Sequence, residues 1–137
     1  MLLQNFYTKP CSDSGRIAEV WNYLLINRLG GLYLGHAYNI TINSNAKIGR
    51  NCNIHKGVVI GQANRGSRKG YPTIGDRVWI GINSAIVGNV NIGDDVMIAP
   101  NSFVNVDIPS HSVVFGNPCI IKHRDWATAE YINNIVE

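Results

Sequence analysis

Four histidines and three cysteines hold most of the reactive chemistry in this chain. His36 stands in YLGHAYNITIN, His55 in NIHKG, and His111 and His123 lie further on. An imidazole titrates near neutrality, so in its neutral form it can take a proton from a hydroxyl or an amine and return it later. Three histidines converging on one point can instead hold a metal ion. No two of these four are close in sequence, so no metal site is expected. Cys11, Cys52 and Cys119 are odd in number and lack metal-type spacing, which reads as thiols in a reducing compartment. Two basic clusters complete the inventory: Arg65, Arg68 and Lys69 in NRGSRKG, and Lys122, His123 and Arg124 in IIKHRD. Each is either a phosphate site assisted by backbone N–H groups or solvated surface charge. Both are short and no nucleic-acid motif accompanies them, so a nucleic acid partner is not expected.

What must position these groups is a six-residue repeat. From residue 42 the chain reads INSNAK, IGRNCN, IHKGVV, IG and, after a break, IGDRVW, IGINSA, IVGNVN, IGDDVM, IAPNSF, VNVDIP. The first column is Ile42, Ile48, Ile54, Ile60, Ile74, Ile80, Ile86, Ile92, Ile98 and Val104; the fifth holds small or aliphatic residues, Cys52 among them. This period suits neither an amphipathic helix nor an alternating strand. It suits an all-β, left-handed parallel β-helix, in which each hexad supplies one short strand and one turn and three hexads close a coil. The branched first residue points inward and stacks on its equivalents, while Gly or Asn serves the turn.

Extended backwards, the register puts Ile40 in the fifth column and His36 in the first, as its only polar member. From the residues alone, His36 is either a coil-end histidine that caps the core or a general base. The break from Ile60 to Ile74 exceeds one hexad by eight residues and predicts an exposed loop over residues 61–72. Residues 1–29 read as an N-terminal helical segment, with Asp13 or Ser14 as cap and apolar Ile17, Val20, Trp21, Leu24 and Leu25 on one face. Residues 30–122 form the prism, and 123–137 read as a short C-terminal helix.

The chain has 137 residues, 45% hydrophobic and 15% charged, with a net charge of +3, as expected of one globular domain. No apolar run is long enough to cross a bilayer, and the start lacks the marks of a secretory signal, so a cytoplasmic protein is expected.

The segment GHAYNITINSNAKIGRNCNIHKGVVIG, the loop and the FGNP turn resemble the hexapeptide-repeat, left-handed β-helix acyltransferases, most of all serine O-acetyltransferases and their short sugar-acetylating relatives. The resemblance spans about residues 30–122. It implies a homotrimer that uses acetyl-CoA, lying in a groove between prisms, with His36 as general base. It implies that Gly61, Gly81, Asn83, Ala99, Asn101 and Gly116 pass the pantetheine arm, and that Arg65, Arg68 and Lys122 meet the phosphates. Tyr38, His55 and Tyr71 fall on the acceptor side. An aspartate orients the histidine in serine acetyltransferases; the matching position here is Trp21, leaving Asp13, Glu19 or a backbone carbonyl for that task.

Three departures concern the acceptor. In serine acetyltransferases an acid just before the histidine and an Arg-His pair at the loop's end grip the amino acid. Here those places hold Gly35, Gly70 and Tyr71, and a desolvated zwitterion needs charged partners. The expected acceptor is therefore a hydroxyl of a sugar or polysaccharide precursor, with Tyr33, Tyr38, Tyr71 and Trp79 offering aromatic faces. The alternatives are serine O-acetylation, amino-sugar N-acetylation, and an inactive scaffold of the same fold.

Overall fold

The structure is a computed structural model and describes residues 30–133 and 135–137; the expected N-terminal helical segment lies outside them. Three parallel faces wrap around one core. The first carries β1 (Tyr33–Gly35), β4 (Asn53–His55), β7 (Val78–Ile80), β10 (Val96–Ile98) and β12 (Ser112–Phe115). The second carries β2 (Thr41–Ile42), β5 (Val59–Gly61), β8 (Ala85–Val87) and β11 (Phe103–Val104). The third carries β3 (Lys47–Ile48), β6 (Thr73–Ile74) and β9 (Asn91–Ile92). Successive strands visit the faces in turn, which is the left-handed parallel β-helix the hexads predict.

Register follows the aliphatic column. Ile42 pairs with Ile60 and Ile60 with Ile86; Ile48 pairs with Ile74 and Ile74 with Ile92; Ile80 pairs with Ile98. All of these side chains are buried in one continuous core. Burying a branched side chain of this kind contributes about 2 kcal/mol, and the column repeats that gain at every corner-to-corner step. The serines among the inward positions are satisfied. Ser84 and Ser102 both donate to the Ala99 carbonyl, at 2.9 and 2.6 Å, and Ser112 donates to that of Pro109 at 2.7 Å. Cys52 is fully buried, and burial raises its thiol pKa to about 12, so it is core.

Two expectations are corrected. Among the described residues of 123–137 the expected C-terminal helix is not formed. Instead β13 (Ile120–His123) pairs antiparallel with β12, and residues 125–131 are consecutive turns. Those turns are held by bonds to the prism rather than within a helix. Asp95 accepts from the Thr128 hydroxyl at 2.7 Å and from the Thr128 and Ala127 N–H groups at 3.0 Å, and it lies 2.9 Å from His111 Nδ1. The chain then climbs back along the first face. There Asn53 Nδ2 donates to the Tyr131 carbonyl at 3.2 Å, and Val136 N–H donates to Asn51 Oδ1 at 2.8 Å.

The second correction is the register of His36. β1 pairs Leu34 with Ile54 and Gly35 with His55, so Leu34 takes the inward place and His36 falls in the turn beyond it. The first coil carries two residues more than three hexads, and the turn absorbs them. His36 is exposed, at a φ of 52°, and does not sit in the core. Positive φ alone says nothing of function here, because Asn51, Arg77, Asn83, Asp95 and Asn101 share it at the prism's corners.

Candidate active site

The corner between the first and second faces stacks one turn from every coil. Lys56 N–H donates to the Gly35 carbonyl at 3.0 Å, Asn83 N–H to that of Lys56 at 3.0 Å, Asn101 N–H to that of Ile82 at 2.9 Å, and Phe103 N–H to that of Gly116 at 3.1 Å. His36 stands at one end of this edge. Gly81, Asn83, Ala99, Asn101 and Gly116, five of the residues expected along a cofactor arm, follow it down the same edge. At Gly81 the crowding is severe: an added Cβ would lie 2.6 Å from the Pro100 nitrogen, so only glycine lets the strands approach there.

The remaining candidates lie elsewhere. Gly61 ends β5 at the next corner, where its carbonyl accepts from Gly88 N–H at 3.1 Å. The predicted loop leaves from there as a closed hairpin, with Ala63 and Gly70 exchanging backbone hydrogen bonds at 3.1 and 3.0 Å. Arg65 is exposed within it, whereas Arg68 turns back to Asp107 at 2.9 Å. The bonds from the Asn91 backbone and from Arg68 hold the Asp107 carboxyl below its usual range. Tyr71 follows the hairpin and is partly exposed. Lys122 is on β13, opposite Val113, with Nζ 5.8 Å above the Phe115 ring. One copy of the chain therefore does not gather the loop and His36 into one pocket.

His55 is the neighbour of His36 that the repeat does not reveal. Its ring lies over Gly35, where an added Cβ would come within 2.7 Å of Cε1. It meets Tyr33 edge-on at 6.4 Å and Trp79 at 4.7 Å between centroids. Trp79 in turn meets Tyr131 of the C-terminal segment at 5.2 Å, so its ring is committed to packing rather than offered to a ligand. Burial lowers the His55 pKa, and the charge that His36 would carry lowers it further. Among the described residues His55 Nε2 is buried without a hydrogen-bond partner. A glycine directly before a histidine at a strand's end was the available signal for this packing, but only the pairing of Gly35 with His55 gives it meaning.

Tyr38 is 73% exposed, on the same turn as His36, with its N–H bonded to the His36 carbonyl at 2.6 Å. Trp21, Asp13 and Glu19, the positions considered for orienting His36, lie outside the described residues. Among the described residues no three His, Cys, Asp or Glu side chains converge, and no helix is long and apolar enough to cross a membrane.

Comparison with known proteins agrees with the prism. The bacterial transferase hexapeptide (six repeats) family matches residues 71–106. A serine acetyltransferase of Synechococcus elongatus is 35% identical over 108 residues, which is 78% of this chain and 44% of that protein. The structure of Neisseria gonorrhoeae serine acetyltransferase in complex with serine superimposes with a TM-score of 0.62 at 39% identity, over 69% of this chain and 38% of that one. Brucella abortus serine acetyltransferase in complex with coenzyme A gives a TM-score of 0.65 at 33% identity, over 70% and 39% respectively. The chain thus spans less than half the length of these relatives.

Proposed function

This chain belongs to the hexapeptide-repeat, left-handed β-helix family, and on that premise we propose that it is an acetyl-CoA-dependent O-acetyltransferase with His36 as general base. The observation that carries the proposal is the single edge on which His36 stands above Gly81, Asn83, Ala99, Asn101 and Gly116. Small residues and turn amides there leave room for an extended thioester arm whose acetyl end reaches the imidazole. Neutral His36 takes the proton of the acceptor hydroxyl as its oxygen attacks the thioester carbonyl. The carbon–sulfur bond then breaks, and the imidazolium returns the proton to the leaving thiolate. Arg65 and Lys122 are exposed cations suited to the cofactor's phosphates. Lys122 lies on the strand beside β12 and Arg65 on the loop at the next corner, and association of prisms would bring the loop to the His36 edge, which favours the homotrimer.

Serine takes first place among acceptors, because the similar proteins are serine acetyltransferases. The sugar acceptor expected from the sequence finds no support among them. It stands second, on one observation: the His55 ring fills the side-chain space of Gly35, so no acid can occupy that place beside His36. Thiol release from acetyl-CoA in the presence of serine, oligosaccharides or nucleotide-linked amino sugars, assayed in parallel, tests the reading. Turnover with serine supports the first acceptor, turnover with an oligosaccharide alone the second. Turnover with none of them supports the inactive scaffold.

A further inference from the structure

We propose that His55 is a positioning residue for His36, a ring-shaped wedge that holds the His36 turn against the turn of the next coil. The inference rests on His36 being the working base. Its ground is a set of contacts that converge on one ring. The His55 imidazole occupies the side-chain space of Gly35, the residue immediately before His36. The two turns are joined by two backbone bonds from the residues that follow His55. Lys56 N–H donates to the Gly35 carbonyl at 3.0 Å, and Gly57 N–H donates to that of Tyr38 at 3.1 Å. The ring is itself braced, by Tyr33 on its own edge of the face and by Trp79 behind it, and Trp79 is backed by Tyr131. His36 lies in the two extra residues of the first coil, where no aliphatic column holds it. The wedge supplies the constraint that the column supplies elsewhere.

The wedge works by shape rather than by proton transfer. Among the described residues Nε2 is buried without a hydrogen-bond partner, so none of the contacts seen here depends on that nitrogen. A cationic His55 is disfavoured by burial and by a charge on His36, which fits a ring that acts by its shape.

The test is a small set of variants in the full chain, assayed for kcat, for acetyl-CoA KM and for the titration of the His36 imidazole by NMR. His55→Ala removes the wedge, and Gly35→Ala drives a methyl into it. Each is expected to lower kcat roughly 10- to 100-fold with acetyl-CoA KM unchanged, as loss of alignment does. The double variant Gly35→Ala/His55→Ala is expected to recover part of the Gly35→Ala loss, because the methyl then fills vacated space. His55→Phe keeps the ring and is expected to hold kcat within about threefold of the parent. Should His55→Ala fail to fold, Gly35→Ala and His55→Phe carry the comparison. A kcat for His55→Ala near that of the parent, with an unmoved His36 titration, overturns the proposal, as does a His55→Phe as slow as His55→Ala. If the parent itself releases no thiol with any acceptor, the catalytic reading fails separately. The His36 titration then decides: a shift in both His55→Ala and Gly35→Ala upholds the wedge, and no shift overturns it.

Discussion

The Thr128 hydroxyl donates to Asp95 Oδ1 at 2.7 Å, and this contact fastens the C-terminal segment to the prism. Asp95 is buried, and burial alone would raise its pKa. The bonds from the Thr128 side chain, from His111 and from the Thr128 and Ala127 backbones outweigh burial and hold it below its usual value. Asp95→Ala strands these donors and is expected to cost about 2–4 kcal/mol in urea unfolding. The pH dependence has a definite sign. Because the native pKa is the lower one, the stabilisation is present above the unfolded value of about 4 and is lost as pH falls through the native value. Acid unfolding of Asp95→Asn should be less steep than that of the parent below pH of about 4.

His55 gives a pH effect in a higher window. Its pKa is lowered in the folded protein, first by burial and then by His36. Well above pH 7 both folded and unfolded forms are neutral, and the residue contributes little to pH dependence. Below about 6.5 the unfolded chain takes a proton that the folded chain resists, so stability falls as pH falls. Thermal unfolding between pH 7 and 5 should show a smaller loss for His55→Phe than for the parent. An equal loss would mean that another group controls this window.

The column of branched residues makes a sharper stability prediction. Ile80 is fully buried between Ile54 and Ile98 in register. Ile80→Ala is expected to cost about 2–5 kcal/mol, because the neighbouring coils are fixed by their own strands and cannot collapse into the space. Ile120, on exposed β13, is the control: its replacement by Ala should fall within about 0.5 kcal/mol.

The same column explains what was legible in the sequence. Isoleucine every sixth residue dictates strand, turn and pairing, so the faces and the eight-residue loop excess could be read directly. The pattern singles out His36 as a polar member of the inward column, whereas in the structure Leu34 holds that place and His36 occupies the turn. Two inserted residues carry no periodic signal, so extrapolating the register across them slipped. The C-terminal segment misled in the same way. ATAEYINNIVE has helix-forming residues, yet Asp95, Asn51 and Asn53 supply the partners its backbone would have found in a helix. The Gly35–His55 packing depends on two residues a full coil apart, which only the pairing brings together.

The hairpin loop should be separable from the fold. Its neck is already closed by the paired bonds between Ala63 and Gly70. Removing Asn64 to Lys69 and joining the ends with a short turn keeps that neck and the strands, with loss of the Arg68 bonds to Asp107 and Asn89. Acetyl-CoA affinity is expected to fall, since Arg65 and Lys69 go with the loop, while sedimentation of the assembly stays the same. Unchanged affinity would remove the loop from the cofactor site. A dissociated assembly would instead make it part of the subunit contact.

The base itself calls for a substitution that respects its backbone. His36 has a φ of 52°, a conformation costing an ordinary L residue roughly 1 kcal/mol or more, so His36→Ala mixes backbone strain with loss of the imidazole. Asparagine tolerates this conformation, as Asn39, Asn51, Asn83 and Asn101 do in turns of this prism. His36→Asn therefore keeps the turn, the Tyr38 N–H bond to residue 36 and the link from Lys56 to Gly35, while removing the imidazole proposed to take the proton. Because the side chain is exposed, the melting temperature should hardly move. Acetyl-CoA binding should persist, since Gly81, Asn83, Ala99 and Asn101 are untouched. Turnover with the best acceptor should drop roughly 10²-fold or more, the usual contribution of a placed general base. A variant that binds acetyl-CoA, melts normally and still transfers acetyl at nearly the parental rate would show that the proton goes elsewhere.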